Sequence, residues 1–230
     1  MAFEQASAQA QCVYENKLMD LPINQIICGD CLEVMKTFPD KSVDLVLTDP
    51  PYGINADKGV GGFGESKTDN HYDDNWDKNI PTKEYFDEIL RIGKKVIIWG
   101  GQFMVEVLPK NGHWIVWDKV GGIKFDNPFS DCELAWTNIK KVTVKKYTVI
   151  QQGFVAEEPI RYHPTQKPVG LFGSILRDYT ESTDIILDPF LGSGTTAVAA
   201  QQLHRRFIGI EISQKYCDIA KQRLGQQILF

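Results

Sequence analysis

Two segments bring together residue types that could do chemistry on a small ligand. Asp49-Pro50-Pro51-Tyr52 follows the apolar run Val43–Leu47 and Thr48. An Asp at the carboxyl end of a buried strand stands where α/β sheets bind ligands. The two prolines stiffen the turn and remove two amide donors, leaving the Pro50 carbonyl to accept a hydrogen bond. A carboxylate, a carbonyl and the flat face of Tyr52, so close together, suit a planar ring that carries an exocyclic amine. The amine's N–H groups need acceptors, and the ring needs a stacking partner. The plainer alternative is a strand-ending turn with its Tyr in the core.

The second segment is Asp184–Ala197, DIILDPFLGSGTTA, an apolar strand running into a glycine-rich turn that opens a helix. Gly192, Gly194 and Ala197 satisfy G-x-G-x-x-A, and Glu211 closes the next strand. Alone, that is a dinucleotide fingerprint with an acid placed for ribose hydroxyls. No Lys precedes Thr195 or Thr196, which excludes a P-loop. Asp188, at the mouth of the turn, would repel a pyrophosphate and favour an ammonium or sulfonium cation. S-adenosylmethionine carries both cations and a ribose, and suits the turn better than NAD does.

These segments need elements to hold them. Apolar runs predict strands at Gln25–Cys28, Val43–Thr48, Lys95–Gly100, His113–Asp118, Cys132–Thr137, Asp184–Leu187 and Phe207–Glu211. Their Val/Ile content without polar alternation points to strands buried on both faces, as in a parallel sheet. Helices are predicted at Cys31–Thr37, Thr82–Ile92, Lys167–Thr180, Thr195–Leu203 and Ser213–Leu224. Alternation of the two predicts a doubly wound α/β domain.

At 230 residues the chain makes one domain, with residues 1–24 as an N-terminal extension. A hydrophobic content of 43% excludes disorder, and no apolar run reaches the ~20 residues of a membrane span. Met1–Gln11 has no Lys or Arg and no apolar stretch follows, so no secretory signal is expected. The five cysteines (Cys12, Cys28, Cys31, Cys132, Cys217) are read as free thiols in the cytoplasm. Cys28 and Cys31 form a C-x-x-C without a second metal-spaced pair, so small residues at a strand-to-helix turn are expected and no metal. The net charge of −5 argues against a nucleic-acid partner at first sight. Gly53–Leu90, however, holds nine acids and only four lysines, and so carries that whole charge. The remainder balances, and Asn138–Tyr147 has four lysines and no acid.

Taken together, the motifs resemble the β-class of the DNA amino-methyltransferases, which methylate exocyclic nitrogens. Asp49–Tyr52 is similar to the family's catalytic DPPY, and Asp188–Thr196 to its cofactor loop. His163-Pro-Thr-Gln-Lys167-Pro168 resembles its methionine-end motif, Cys28-Gly-Asp30-Cys31 its adenine-binding turn, and Phe207–Glu211 its ribose-binding strand. Trp117-Asp-Lys119 and Glu133-Leu-Ala-Trp136 are similar to its later core strands. The likeness runs from Gln25 to Leu224, in the β-class order with the catalytic motif first.

The resemblance implies a Rossmann-like class I methyltransferase fold in circularly permuted order, with a seven-stranded, mostly parallel sheet and one reversed strand. It implies S-adenosylmethionine as cofactor and double-stranded DNA as partner, and a homodimer is compatible with it. Asp188 and the amides around Phe190, Gly192, Ser193 and Gly194 would hold the methionine end. Thr195 and Lys167 would take its carboxylate, Glu211 the ribose, and Asp30 with Cys31 the adenine. Tyr52 would stack on a flipped base, with Asp49 and the Pro50 carbonyl accepting from its amine and Pro51 stiffening the turn. In the family an Asp opening the motif accompanies adenine-N6 activity and a Ser cytosine-N4, so Asp49 points to adenine. Cytosine-N4 transfer, RNA methylation, a non-catalytic DNA-binding protein and an NAD oxidoreductase are the rival readings. The intact motifs oppose the non-catalytic one, and Asp188 the last.

Two stretches fall outside the repeating strand–helix pattern. The glycine-rich loop 53–80 directly follows the catalytic motif, which suggests a mobile lid over the target base. Within it, Phe63 is a candidate to approach the base and Trp76 an anchor. Asn138–Tyr162 lies where the β-class reads DNA sequence. It is short for a recognition region, and Lys140, Lys141, Lys145 and Lys146 are expected to meet phosphate, with a β-hairpin reaching into a groove. The alternative is a solvated lysine strip on an edge strand.

Overall fold

Alternation between two packed faces builds the central sheet. β1 (Gln25–Cys28), β2 (Val43–Thr48), β3 (Gly93–Trp99), β4 (Trp114–Asp118), β5 (Cys132–Thr137), β6 (Val144–Thr148), β7 (Ile185–Asp188) and β8 (Arg206–Glu211) form one sheet in the order β1-β8-β7-β2-β3-β5-β4-β6. The structure is a computed structural model and describes residues 20–54, 77–124, 130–151, 162 and 165–226. Along β2, Leu45 and Leu47 face one side while Val43 and Val46 face the other; in β3, Ile97 and Trp99 oppose Val96 and Ile98. All eight side chains are fully buried. Strand residues buried on both faces are what a helix-covered parallel sheet requires.

Helices α1 (Cys31–Met35) and α2 (Lys83–Ile92) cover one face through Met35, Phe86, Ile89 and Ile92. Helices α3 (Val169–Tyr179), α4 (Thr195–Gln202) and α5 (Gln214–Gln226) cover the other through Leu171, Phe172, Ile175, Ala197, Ala200 and Ala220. Among these described residues, no helix is long and apolar enough to cross a membrane.

All seven strands expected from the sequence form. Six pairs are joined with the pattern expected of a mostly parallel sheet, and β5 is the reversed strand, antiparallel to β3 and to β4. An eighth strand, β6, extends the sheet by pairing parallel to β4, with Trp114 opposite Val144 and Trp117 opposite Tyr147. The β-hairpin expected here is therefore replaced, over residues 138–151, by an edge strand of the sheet. The reason is apolar: Ile139, Tyr147 and Val149 pack against the core, and the Trp117 indole N–H donates to the Val149 carbonyl at 2.8 Å.

Strand order reverses its direction of growth between β7 and β2, which lie side by side and parallel. The carboxyl ends of such neighbours frame the crevice where doubly wound sheets bind ligands. Here those ends carry Asp188 and Thr48-Asp49.

Candidate active site

The loop after β7 is shaped by a close approach to α5 and by hydrogen bonds to β8. Gly194 has φ +92, and a Cβ there would lie 2.8 Å from that of Ala220, so only glycine lets α5 pack this tightly. The loop is tied to β8 as the Leu191 N–H donates to the Ile210 carbonyl at 2.9 Å and the Gly192 N–H to Glu211 Oε2 at 2.8 Å. Glu211 Oε1 accepts from the Ser213 N–H at 2.9 Å. Burial holds the Glu211 carboxyl above the usual range against these donors. From behind, Arg223 donates to the Ser193 carbonyl at 2.8 Å, and the Ser193 hydroxyl to Gln166 at 3.1 Å.

Asp188 is not the open anion that the sequence suggests. It is 4% exposed, and its oxygens accept from the hydroxyls of Thr48 (2.7 Å) and Thr196 and from the Phe190 N–H (3.1 Å). Burial nevertheless pushes its carboxyl up to about 7, against the pull of those donors. The pairing of β7 with β2 is what brings Thr48 to it.

Across the crevice, Asp30 caps α1 by accepting from the Leu32 N–H at 2.8 Å and receives the Tyr85 hydroxyl at 3.2 Å. The Tyr85 ring tilts against Phe190 with centroids 6.2 Å apart. Cys31, beside them, has its thiol pushed up to about 12 by burial and by the neighbouring Asp30. Cys28 ends β1 and Cys31 opens α1, so this C-x-x-C spans a strand-to-helix turn with both thiols free.

The Asp49–Tyr52 turn is held by a residue that sequence reasoning passed over. Asp77 Oδ1 accepts from the Tyr52 N–H at 2.6 Å and the Gly53 N–H at 2.9 Å, and Asp77 is 1% exposed. The Tyr52 ring lies against Gly100, where a Cβ would come within 2.1 Å of it, and stacks on Phe103 with centroids 5.3 Å apart. Its hydroxyl donates to Asp49 Oδ1.

Lys167 also departs from expectation. Expected to meet a ligand carboxylate, it instead places Nζ 2.6 Å from Asp49 Oδ2 and 3.1 Å from Glu133 Oε2. Burial alone would lower its pKa, but the two carboxylates outweigh that and hold the ammonium well above its ordinary value. Burial raises the Asp49 carboxyl while Lys167 pulls it down. Burial also disfavours the Glu133 carboxylate, yet Lys167 and Lys119 prevail and hold it below the usual range.

A cavity of about 480 Å³ joins these parts. Of the residues singled out from sequence, Asp30, Cys31, Asp49, Pro51, Lys167, Asp188, Phe190, Gly192, Ser193, Thr195 and Glu211 line it. Pro50, Tyr52 and Gly194 stand behind that wall. Thr48, Asp77, Tyr85, Phe103, Lys119 and Glu133 were not assigned roles from sequence; a Gly100-Gly101 doublet after a strand was the available signal for the close approach of Tyr52. The four lysines are elsewhere, on and before β6. All four are exposed; Lys146 pairs with Asp118 at 3.0 Å and Lys145 with Asp178 at 3.8 Å. Phe63, Trp76, His163 and the lid segment 55–76 lie outside the described residues.

Lined by Asp30, Asp49, Asp188 and Glu211, by Pro189, Phe190 and Leu191, and by Thr195 at a helix N-terminus, the cavity suits a ligand that carries hydroxyls, a cation and a carboxylate. Comparison with known proteins agrees with that chemistry. Residues 113–222 match the N6/N4 DNA methylase family. The type II methyltransferase M.HinfI of Haemophilus influenzae is 30% identical over 250 residues, covering 89% of this chain and 69% of the relative. The putative methylase YubD of Escherichia coli (strain K12) is 30% identical over 222 residues, covering 88% and 91%. Among solved structures, the M1.HpyAVI–SAM complex superposes with a TM-score of 0.58 at 25% identity, covering 87% of this chain and 98% of that one.

Proposed function

The chain belongs to the N6/N4 DNA methylase family, and from that premise we propose that it transfers the methyl group of S-adenosylmethionine to the N6 amine of adenine in double-stranded DNA. The observation that carries the reading is Asp49, held by the Tyr52 hydroxyl, on the lining of a cavity that Asp30, Asp188 and Glu211 also line.

The cavity's donors and acceptors fit this cofactor. Its volume of about 480 Å³ lies within the range of small-molecule sites. Asp30 and Glu211 would accept from the adenosine end. Asp188, Thr195 and the amides at the start of α4 would hold the methionine end. When bound, the cofactor supplies a methyl group activated on a sulfonium.

Everything else is work for this chain's residues. The target base leaves the duplex at a cost of a few kcal/mol, and Tyr52 gives it a stacking face. Asp49 and the Pro50 carbonyl accept the amine's two N–H groups, which aims the nitrogen lone pair along the cavity. Asp49 then stabilises the positive charge that builds on nitrogen and takes up the released proton. Lys167 and the Tyr52 hydroxyl fix the carboxylate while this happens. Asp49 in place of Ser supports adenine over cytosine.

Phosphate contact is assigned to Lys140, Lys141, Lys145 and Lys146. Lys145 and Lys146 lie on β6, an edge strand of the sheet, and Lys140 and Lys141 on the segment that leads into it.

Incubating the full chain with methyl-labelled cofactor and mixed-sequence duplex DNA tests the reading. Label enters DNA with the wild type and is lost with Asp49→Ala. No label in wild-type incubations overturns it.

A further inference from the structure

Behind Asp49 four alternating charges stand in a row, with the buried Lys167 flanked by half-buried partners. Lys167 Nζ is 2.6 Å from Asp49 Oδ2 and 3.1 Å from Glu133 Oε2, and the Lys119 ammonium pairs with the other Glu133 oxygen. The Lys167 side chain is 5% exposed, Lys119 17% and Glu133 23%. The row is formally neutral, and aromatic rings flank it. Lys167 Nζ is 5.5 Å from the Tyr52 ring centroid and 5.9 Å from that of Trp99, while Lys119 Nζ is 5.1 Å from that of Trp117.

An ion pair between Lys167 and Asp49 would by itself neutralise both. Burying a second pair costs desolvation without improving the packing, so stability alone does not explain it. What the second pair adds is direction. Glu133 gives the ammonium a second ion-pair partner, with Oε2 3.1 Å from Nζ, and so restrains its place beside Oδ2. With Oδ1 taken by the Tyr52 hydroxyl, the plane of the Asp49 carboxylate is then fixed from both ends. The row is assembled from β5, the end of β4, the segment before α3 and the turn after β2, which meet only in the folded chain.

We propose that Glu133 and Lys119 are positioning residues for Asp49: they clamp Lys167 against Oδ2 and thereby set the direction and charge of the carboxylate that receives the target amine. The proposal rests on the methyl-transfer reading for the task of Asp49, but its geometry is independent of that reading.

The charged and titratable groups facing Asp49 are the Tyr52 hydroxyl on its own turn, Lys167 before α3, Glu133 on β5 and Asp188 at the end of β7. Asp188 also interacts with the Asp49 charge, and Lys167 and then Glu133 are the largest charges acting on Asp49. The negative charge of Glu133 raises the Asp49 carboxyl and Lys167 lowers it. Removing the Glu133 charge therefore lowers the titration midpoint of Asp49, and removing the Lys119 charge raises it.

The full chain carrying ¹³C-labelled aspartate is titrated by carboxyl NMR without ligand, with the Asp49 signal assigned by its loss in Asp49→Asn. Glu133→Gln lowers the midpoint by about one pH unit, the lower end of a single neighbouring-charge effect. Lys119→Met raises it, and Lys119→Arg restores it. In transfer assays Glu133→Gln and Lys119→Met lower kcat by about tenfold or more, as misplacement of a reacting group does, with KM for cofactor and DNA changed less. Unchanged midpoints in both folded variants, or a raised KM at unchanged kcat, overturn the proposal. If Glu133→Gln does not fold, Lys119→Met at the outer end of the row decides. If the wild type labels no base, the methyl-transfer reading fails while the carboxyl titration still judges the clamp.

Discussion

The buried carboxyl of Asp188 makes cofactor affinity depend on pH. In the ligand-free protein its pKa is raised from 3.8 to about 7 because burial outweighs the donors from Thr48, Thr196 and Phe190. A cationic ligand beside it favours the ionised form. Binding at pH 6 must therefore first remove a proton that about nine-tenths of the molecules hold, and affinity falls about tenfold for each pH unit below 7. Between pH 8 and pH 5 the loss is about a hundredfold, with close to one proton released per cofactor bound at the acid end. Stability moves the other way. A carboxyl whose folded pKa lies above its unfolded value makes the ligand-free protein lose stability as pH rises from about 4 to about 7, by roughly 4 kcal/mol at most. Calorimetric titration with S-adenosylmethionine, in buffers of different ionisation enthalpy, reads both affinity and proton release. Asp188→Asn binds weakly with a flattened pH dependence, and the ligand-free variant loses the decline in stability between pH 4 and 7. A wild-type affinity that is level from pH 5.5 to 8, or an unchanged slope in Asp188→Asn, would refute the reasoning.

Other perturbations probe the remaining parts of the site. Gly100→Ala places a methyl 2.1 Å from the Tyr52 ring at a residue with φ +68; a left-handed alanine costs about 1–2 kcal/mol before the clash is counted, so thermal unfolding shifts down and kcat falls as Tyr52 is displaced. Asp77→Ala strips the acceptor from the Tyr52 and Gly53 amides, at about 1–3 kcal/mol in denaturant unfolding, and lowers kcat more than the affinity for cofactor. Lys140→Gln with Lys141→Gln lowers the slope of log affinity for DNA against log salt by about 2. The same change at Lys145 and Lys146, already paired with Asp178 and Asp118, has a smaller effect, and equal slopes in all variants would remove the strip from the DNA interface.

The sheet was legible because its strands are short apolar runs ended by Asp, Gly or Pro, and helices such as Val169–Tyr179 and Gln214–Gln226 fill the intervals. For β6 the sequence offered a hairpin or an edge strand, and the edge strand forms; its parallel pairing with β4 leaves no local trace in Val144-Lys145-Lys146-Tyr147. The motifs located the cavity, since Asp49, Asp188 and Glu211 stand at strand ends where periodicity places them. Their partners were hidden. Asp77 is one of nine acids in its stretch, and nothing in its spacing marks it as the one that is buried beneath the Tyr52 turn. Thr48 reaches Asp188 through the neighbouring of β7 and β2, a long-range pairing. Glu133 and Lys119 look like charges at the ends of apolar strands until the fold carries Lys167 between Glu133 and Asp49. Sequence spacing reports which residues share an element, whereas electrostatic partners depend on which elements become neighbours.

The central claim is tested most directly by identifying the modified base. Mixed-sequence duplex DNA, incubated with the full chain and S-adenosylmethionine, is digested to nucleosides and analysed by mass. N6-methyldeoxyadenosine forms with the wild type and is absent with Asp49→Ala. N4-methyldeoxycytidine in its place, or no methylated nucleoside at all, would contradict the account.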